Sequence, residues 1–198
     1  MAANKPATLL LKVLRLSRAR KVNLMIIYQD TNLLLSPAQT LVNTVNTVGV
    51  MGAGIAKEFK RYYPKMFVTY RKVCRAQLFE PGQLLLYKGE RGNGYERKRW
   101  VLNFPTKRDW RDPAKLIYVE QGLAKFVASY KAKGITSIAF PPLGTGCGGL
   151  KWPEVKQMME SYLKQVDIPV YIHVYWPMRG QATKDSEIVR NLGQAATI

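Results

Sequence analysis

Short apolar runs alternate along this chain with longer stretches in which apolar residues return every three or four positions. The run 22–28, VNLMIIY, is rich in β-branched residues and reads as a strand, closed by the turn-forming Gln29-Asp30-Thr31-Asn32. A second strand is expected over 39–45. From about Ala53 the spacing of Ile55, Ala56 and Phe59, with Lys57, Glu58, Lys60 and Arg61 outward, predicts a helix. Pro64 breaks it and suits the first turn of a following helix over 65–75. Strands are expected over 83–87, 99–104, 136–140 and 169–176. Helices are expected over 152–165 and from Asp112-Pro113, read as cap and first-turn proline, to Lys133. Strands in alternation with helices predict a three-layer α/β domain.

The ends of the chain read differently. Residues 1–21 hold basic but no acidic side chains, the first acid being Asp30. They read as a basic N-terminal extension: a transit-type segment, a nucleic-acid-contacting arm, or sequence upstream of a true start at Met25. Residues 89–94 read as an exposed glycine loop and 178–198 as a polar tail. The domain itself is expected to occupy 22–177.

Charge narrows the function classes. With 31 Lys+Arg against 13 Asp+Glu the formal net charge is +18, a field that attracts polyanions, nucleic acid first among them. An anionic membrane surface and an acidic protein are the other partners such a field allows. Cys74, Cys147 and the lone His173 make neither a disulfide framework nor a metal cluster, so a reduced, cytoplasmic setting without metal or cofactor is expected. No apolar run reaches the roughly 18 residues of a membrane span.

Two glycine-rich loops carry the candidate chemistry. In VNTVNTVGVMGAGIAKEF (42–59) and LGTGCGGL (143–150), each loop follows an apolar strand and precedes a helix. Glycines there let backbone amides approach an anion, and ligands of open α/β sheets lie beyond the carboxyl ends of the strands. Two facing nests suit a diphosphate. Neither loop carries a Walker lysine or a dinucleotide-type GxGxxG, which removes P-loop hydrolysis and hydride transfer. His173 in its apolar strand reads as a satisfied core histidine, and Trp100, Trp152, Tyr171, Tyr175 and Trp176 read as core.

VNTVN followed by GVMGAGIA, then NFPTK and PPLGTGCGGLKW, resembles a macrodomain across about residues 22–176. The combination is similar to the branch that holds the DarG-like DNA ADP-ribosyl glycohydrolases, which are antitoxins, and terminal ADP-ribose protein glycohydrolase. The resemblance implies a mixed central sheet flanked by helices and an ADP-ribose cleft. It places Asp30 on the adenine, and Asn43 and Asn46 at the distal ribose near the glycosidic carbon, with Asn46 as a catalytic residue beside Lys107. Gly49, Val50, Met51, Gly52 and Ala53 would wrap ribose and diphosphate from one side. Pro142, Leu143, Gly144, Thr145, Gly146, Cys147 and Gly148 would close from the other. Lys107 stands at the position of the branch's catalytic lysine.

As chemistry, a lysine amine at a strand end can attack an anomeric carbon or an opened-ring aldehyde, giving a Schiff-base-type intermediate that water resolves. The related human-type enzyme carries an aspartate where this chain has Gly148. That leaves the general acid unassigned, with Asp109 and Asp112 merely close in sequence. Trp110 among Lys107, Arg108 and Arg111 could stack on a nucleobase, with the two arginines on phosphates.

The resemblance therefore implies an enzyme that removes ADP-ribose from thymidine in single-stranded DNA, reversing the work of a DNA ADP-ribosyltransferase toxin. The alternatives are a non-catalytic ADP-ribose reader, or a hydrolase of ADP-ribose-1″-phosphate or ADP-ribosylated protein. Relatives in that branch carry a second, toxin-binding domain for which no stretch of this chain is expected to account. A monomer is expected.

Overall fold

The computed structural model describes residues 26–89 and 99–174. Six strands, β1 (Ile26–Gln29), β2 (Thr40–Val45), β3 (Leu85–Tyr87), β4 (Trp100–Pro105), β5 (Ile138–Phe140) and β6 (Val170–His173), form one sheet. Their spatial order is β1-β6-β5-β2-β4-β3, parallel throughout except for β3, which runs antiparallel to β4. The helices are α1 (Gly54–Tyr62), α2 (Pro64–Arg75), α3 (Leu116–Lys133) and α4 (Trp152–Leu163), with a short 3-10 turn at Leu33–Leu35. The mixed sheet between helices matches the expected class. The extension 1–21, the tail 178–198, Tyr175, Trp176 and most of the 89–94 loop lie outside the described residues.

Period-two alternation sorts the core into two layers. Leu41, Val45, Val101 and Ala139 point to one face, where they meet Phe59 of α1 and Met66 and Tyr70 of α2. Val42, Leu102, Phe104, Ile138 and Phe140 point to the other, against Val119, Leu123 and Phe126 of α3 and Val155 and Met159 of α4. Trp100, Trp152 and Tyr171, expected as core, are only half buried at the edges of these layers. Among the described residues no helix is long and apolar enough to cross a membrane.

Gly122 of α3 is the point of tightest helix–sheet approach. A Cβ there would lie 2.2 Å from the Phe104 ring, which is fully buried and cannot swing away. Gly122→Ala should therefore cost about 1–3 kcal/mol through overpacking. The expected reading is a lower urea midpoint with an unchanged m-value.

One boundary departs from expectation. The helix predicted from Asp112-Pro113 begins at Leu116, with Lys115 as an extended N-cap residue that makes no side-chain capping bond. The preceding residues have other partners: Ala114 N–H donates to the Gly148 carbonyl and Lys115 N–H to that of Thr106. They form an extended strap across the sheet's carboxyl rim, and the competing hydrogen bonds outweigh local capping chemistry.

Candidate active site

Strand order determines what shares the rim. β5, β2 and β4 are neighbours, so the loop after Phe140, the loop after Val45 and the turn after Pro105 emerge side by side. β6 and β1 continue the row, ending in His173 and Gln29. At about 4.8 Å per strand, the five ends span roughly 19 Å. A cleft of about 770 Å³ runs along them. Asn32, Leu33, Leu34 and His173 belong to the β1–β6 end of the row, and Lys107 and Trp110 to the β4 end.

Lys107 is 8% exposed, and its Nζ donates to the Cys147 carbonyl at 2.9 Å and, at the long limit, to the Trp110 carbonyl at 3.5 Å. Its backbone is held on both sides. Thr106 N–H donates to Val45 O, and Thr47 N–H and Oγ1 donate to Arg108 O at 2.8 and 3.2 Å. Two of its N–H directions are thus committed to carbonyls. Lys107 also lines the cleft, so the amine is fixed at the β4 end rather than waving in solvent.

Asn46, at the end of β2, serves the loop. Its Oδ1 accepts from Val48 N–H (3.1 Å), Val50 N–H (3.2 Å) and the Tyr70 hydroxyl (3.1 Å), while its Nδ2 donates to Val50 O (2.7 Å). Tyr70 donates also to the Asn46 carbonyl, and burial pushes its phenol far above the ordinary range, so it remains a donor. This amide folds residues 46–50 into a tight turn, with Gly49 at φ +83°, where an L side chain is strained. Beyond the turn α1 starts at Gly54 with no side-chain cap on Ala53, which leaves its first amides free for a ligand. Gly52, Ala53 and Gly54 line the cleft there.

Other expected residues divide clearly. Val50, Gly52, Ala53, Pro142, Gly144, Thr145, Gly146, Cys147 and Gly148 line the cleft, so the two glycine loops do face one another. A Cβ on Gly54 would come within 3.4 Å of Cys147 Sγ, across the gap. Asn43 lies beneath the loop, fully buried, with its Nδ2 donating to Asn103 Oδ1 at 2.9 Å and in long contact with Met51 Sδ. Met51 is buried and Leu143 belongs to the core, and neither lines the cleft. Asp30 is exposed beyond β1. The reason is parity and depth: residues 43 and 103 face the α1–α2 layer and lie short of the strand ends, whereas the last residues of β2 and β6 and those just past the strand ends reach the rim.

Trp110 is half exposed at the mouth, with the Arg111 guanidinium 4.6 Å from its ring centre. Arg108 pairs with Glu80 at 2.6 Å and Arg111 with Asp109 at 3.4 Å, all exposed enough to exchange for other anions. Asp109 is thereby turned toward Arg111. Among the described residues the one carboxylate on the cleft wall is Glu58 of α1. Its outward reading in the sequence missed this, as it missed Thr106, Asn32 and Leu33.

His173 is buried but only half satisfied. Its Nδ1 lies 3.0 Å from the Thr31 carbonyl and 3.1 Å from the Thr31 hydroxyl oxygen; a proton on Nδ1 satisfies the carbonyl and leaves Nε2 as a bare acceptor. Nε2 is buried without a partner among the described residues, and the ring lines the cleft. Burial holds the imidazole below its ordinary pKa, in the neutral form. The expectation of a fully satisfied core histidine thus needs correction.

Gly148 explains the missing aspartate. A Cβ would meet the Gly144 carbonyl oxygen at 2.3 Å and Ala114 Cβ at 2.7 Å. Gly148→Asp should therefore lose about 1–3 kcal/mol of stability. It should gain no acid catalysis, as a thermal melt paired with a pH–rate profile will register.

Residues 42–159 match the Macro domain family. A DNA ADP-ribosyl glycohydrolase of Thermus aquaticus is 45% identical over 147 residues, which cover 74% of this chain and 40% of that relative's length. The structure of the macrodomain of Mycobacterium tuberculosis DarG superposes with a TM-score of 0.70 at 41% identity, covering 78% of this chain and 99% of that one. Thermosipho africanus DarTG in complex with ADP-ribose gives a TM-score of 0.70 at 36% identity, covering 83% and 45%. The chain thus spans less than half of the T. aquaticus relative. With the two glycine loops, the strand-end lysine and their shared rim in place, the chain belongs to the Macro domain family and stands beside the DarG macrodomains within it.

Proposed function

We propose that this macrodomain is a glycohydrolase that removes ADP-ribose from nucleic acid, with thymidine in single-stranded DNA as substrate. The observation that carries the reading is the Lys107 amine, fixed between two carbonyls at one end of the cleft. The diphosphate lies between the glycine loops, on the uncapped start of α1. Adenine then occupies the Asn32–His173 end, with the exposed Asp30 beside it as an acceptor for its amino group.

The chemistry fits a site without a carboxylic acid beside the lysine. Lys107 attacks the anomeric carbon as the bond to the base breaks. Thymidine's one ring nitrogen free for a second glycosyl bond is the imide nitrogen. Its anion is delocalised over two carbonyls, so it departs without prior protonation and takes its proton from water. The lysine adduct passes a proton from its nitrogen to the ring oxygen as the sugar ring opens, which gives an iminium. Water adds to the iminium, and collapse of the carbinolamine returns the amine and releases ADP-ribose.

The net charge of +18 serves a polyanionic substrate, with Trp110, Arg108 and Arg111 beside the reacting end. The reaction that supplies such a substrate is that of a DNA ADP-ribosyltransferase, and a toxin of that class is the natural partner. The enzyme works as a cytoplasmic monomer and needs no cofactor. The test is a panel: ADP-ribosylated thymidine oligonucleotide, ADP-ribosylated protein and ADP-ribose-1″-phosphate. The oligonucleotide should give the highest kcat/KM. Binding of ADP-ribose with no release from any substrate would leave a reader module, and preference for either other substrate would overturn the DNA assignment.

A further inference from the structure

The 48–52 loop has a second side. Behind it lies a separate hollow of about 360 Å³, between the loop and helices α1 and α2. Val50 and Gly52 line both this hollow and the main cleft, so the two are divided by a single turn of backbone. Three cations converge on it: Lys60 from α1, and Arg71 and Arg75 from α2. All three are exposed, and among the described residues none has a carboxylate within ion-pair distance. Over the whole of α1 and α2 the one acid is Glu58, which faces the other cleft.

Like charges gathered around a hollow repel one another, and nothing described here relieves them. Two of the three nevertheless lie over an aromatic face. The Phe67 ring, also in the lining, holds Lys60 Nζ at 4.6 Å and the Arg71 guanidinium at 5.4 Å from its centre. Two of the three cations are thereby positioned before any ligand arrives, with exposed Val48 beside them as apolar surface. A phosphodiester chain meets all of these features, since its phosphates neutralise the cations and its sugars cover Val48 and Phe67.

We infer that this hollow binds the sugar–phosphate backbone of the single strand immediately next to the modified nucleotide. The inference rests on the reading of a nucleic-acid substrate. The strand then has contacts on both sides of the reacting sugar. Trp110 and Arg111 lie on the Lys107 side, and Lys60, Arg71 and Arg75 lie across the turn that Asn46 ties. Thr47 joins the two sides through its bonds to the Arg108 carbonyl.

The test compares Lys60→Gln/Arg71→Gln/Arg75→Gln with a charge-matched control, Lys57→Gln/Lys65→Gln/Lys72→Gln, on the same helices. For an unmodified single-stranded oligonucleotide, the hollow variant should raise Kd at least about tenfold and flatten the slope of log K against log salt by about 2. The control should move both by much less. On the ADP-ribosylated oligonucleotide kcat/KM should fall in parallel, whereas on ADP-ribosyl-thymidine without flanking nucleotides it should hold within about twofold. An unchanged affinity for free ADP-ribose shows that the fold is intact.

The proposal is overturned if oligonucleotide binding is unchanged, or if the control loses as much as the hollow variant. Equal losses with and without flanking nucleotides, or a loss confined to ADP-ribosylated protein, also overturn it. A wild type that releases nothing from DNA, yet loses oligonucleotide binding in the hollow variant alone, would sink the glycohydrolase reading and leave the phosphate track standing.

Discussion

Lys107→Ala should lower the release of ADP-ribose from DNA by about a thousandfold or more, equivalent to about 4 kcal/mol of transition-state stabilisation. The affinity for ADP-ribose itself should stay within a few fold, because the proposed mode places the diphosphate on backbone amides of the two loops and not on this side chain. Lys107→Arg separates the chemical role from the structural one. An arginine can restore donors to the Cys147 and Trp110 carbonyls, but a guanidinium has no lone pair with which to attack carbon. The arginine variant should therefore remain as inactive as the alanine. Recovery of activity in Lys107→Arg would mean that the cation, and not the nucleophile, is what the reaction requires. Borohydride added during turnover should trap a covalent ADP-ribosyl adduct on wild type and on neither variant.

Asn46→Ala is expected to act through shape. Removing the amide leaves the Val48 and Val50 N–H groups without their acceptor and Val50 O without its donor, and costs the Tyr70 hydroxyl one of two acceptors. Loss of these part-buried bonds should lower stability by about 2–3 kcal/mol. Val50 and Gly52, which line the cleft, would then no longer be held in place. The Kd for ADP-ribose should rise by about ten- to a hundredfold, that is about 1.4–2.8 kcal/mol. Calorimetric titration with ADP-ribose and a thermal melt measure both. A fall in kcat with unchanged Kd and unchanged melting would instead put Asn46 on the reacting atoms, a role that its four engaged hydrogen bonds do not favour.

The two residues also illustrate what could be read from the chain beforehand. The strand-then-glycine-then-helix pattern at 42–59 and 136–150 announced two ligand loops, because glycine punctuation and apolar runs are local signals. Lys107 was legible as a strand-end cation within NFPTK, a specific motif. What could not be read was parity. Asn43 and Asn46 look equivalent in VNTVN, yet Asn43 is still inside β2 and turns into the α1–α2 layer, while Asn46 has passed the strand end and reaches the rim. The three-residue interval between them is not a strand period, so the two cannot share a face within one strand.

Long-range closure was equally invisible. The strap that carries Ala114 to Gly148 overrode an apparent cap at Asp112, and those hydrogen bonds span residues far apart in sequence. His173 looked like core because its neighbours in the strand are apolar. Its unpartnered, buried Nε2 depends on how β6 lies between β1 and β5. The hollow behind the 48–52 loop combines Lys60 and Arg71 from different helices, and in the sequence Lys60 reads only as part of an outward face.

The central claim is that this chain breaks the bond between ADP-ribose and a DNA base, and the mass of the substrate tests it most directly. An ADP-ribosylated thymidine oligonucleotide incubated with wild type should lose the mass of one ADP-ribosyl unit and return to the unmodified strand, with free ADP-ribose in solution. With Lys107→Ala it should keep its mass. An oligonucleotide that stays at its modified mass with folded, ADP-ribose-binding wild-type protein would contradict the account.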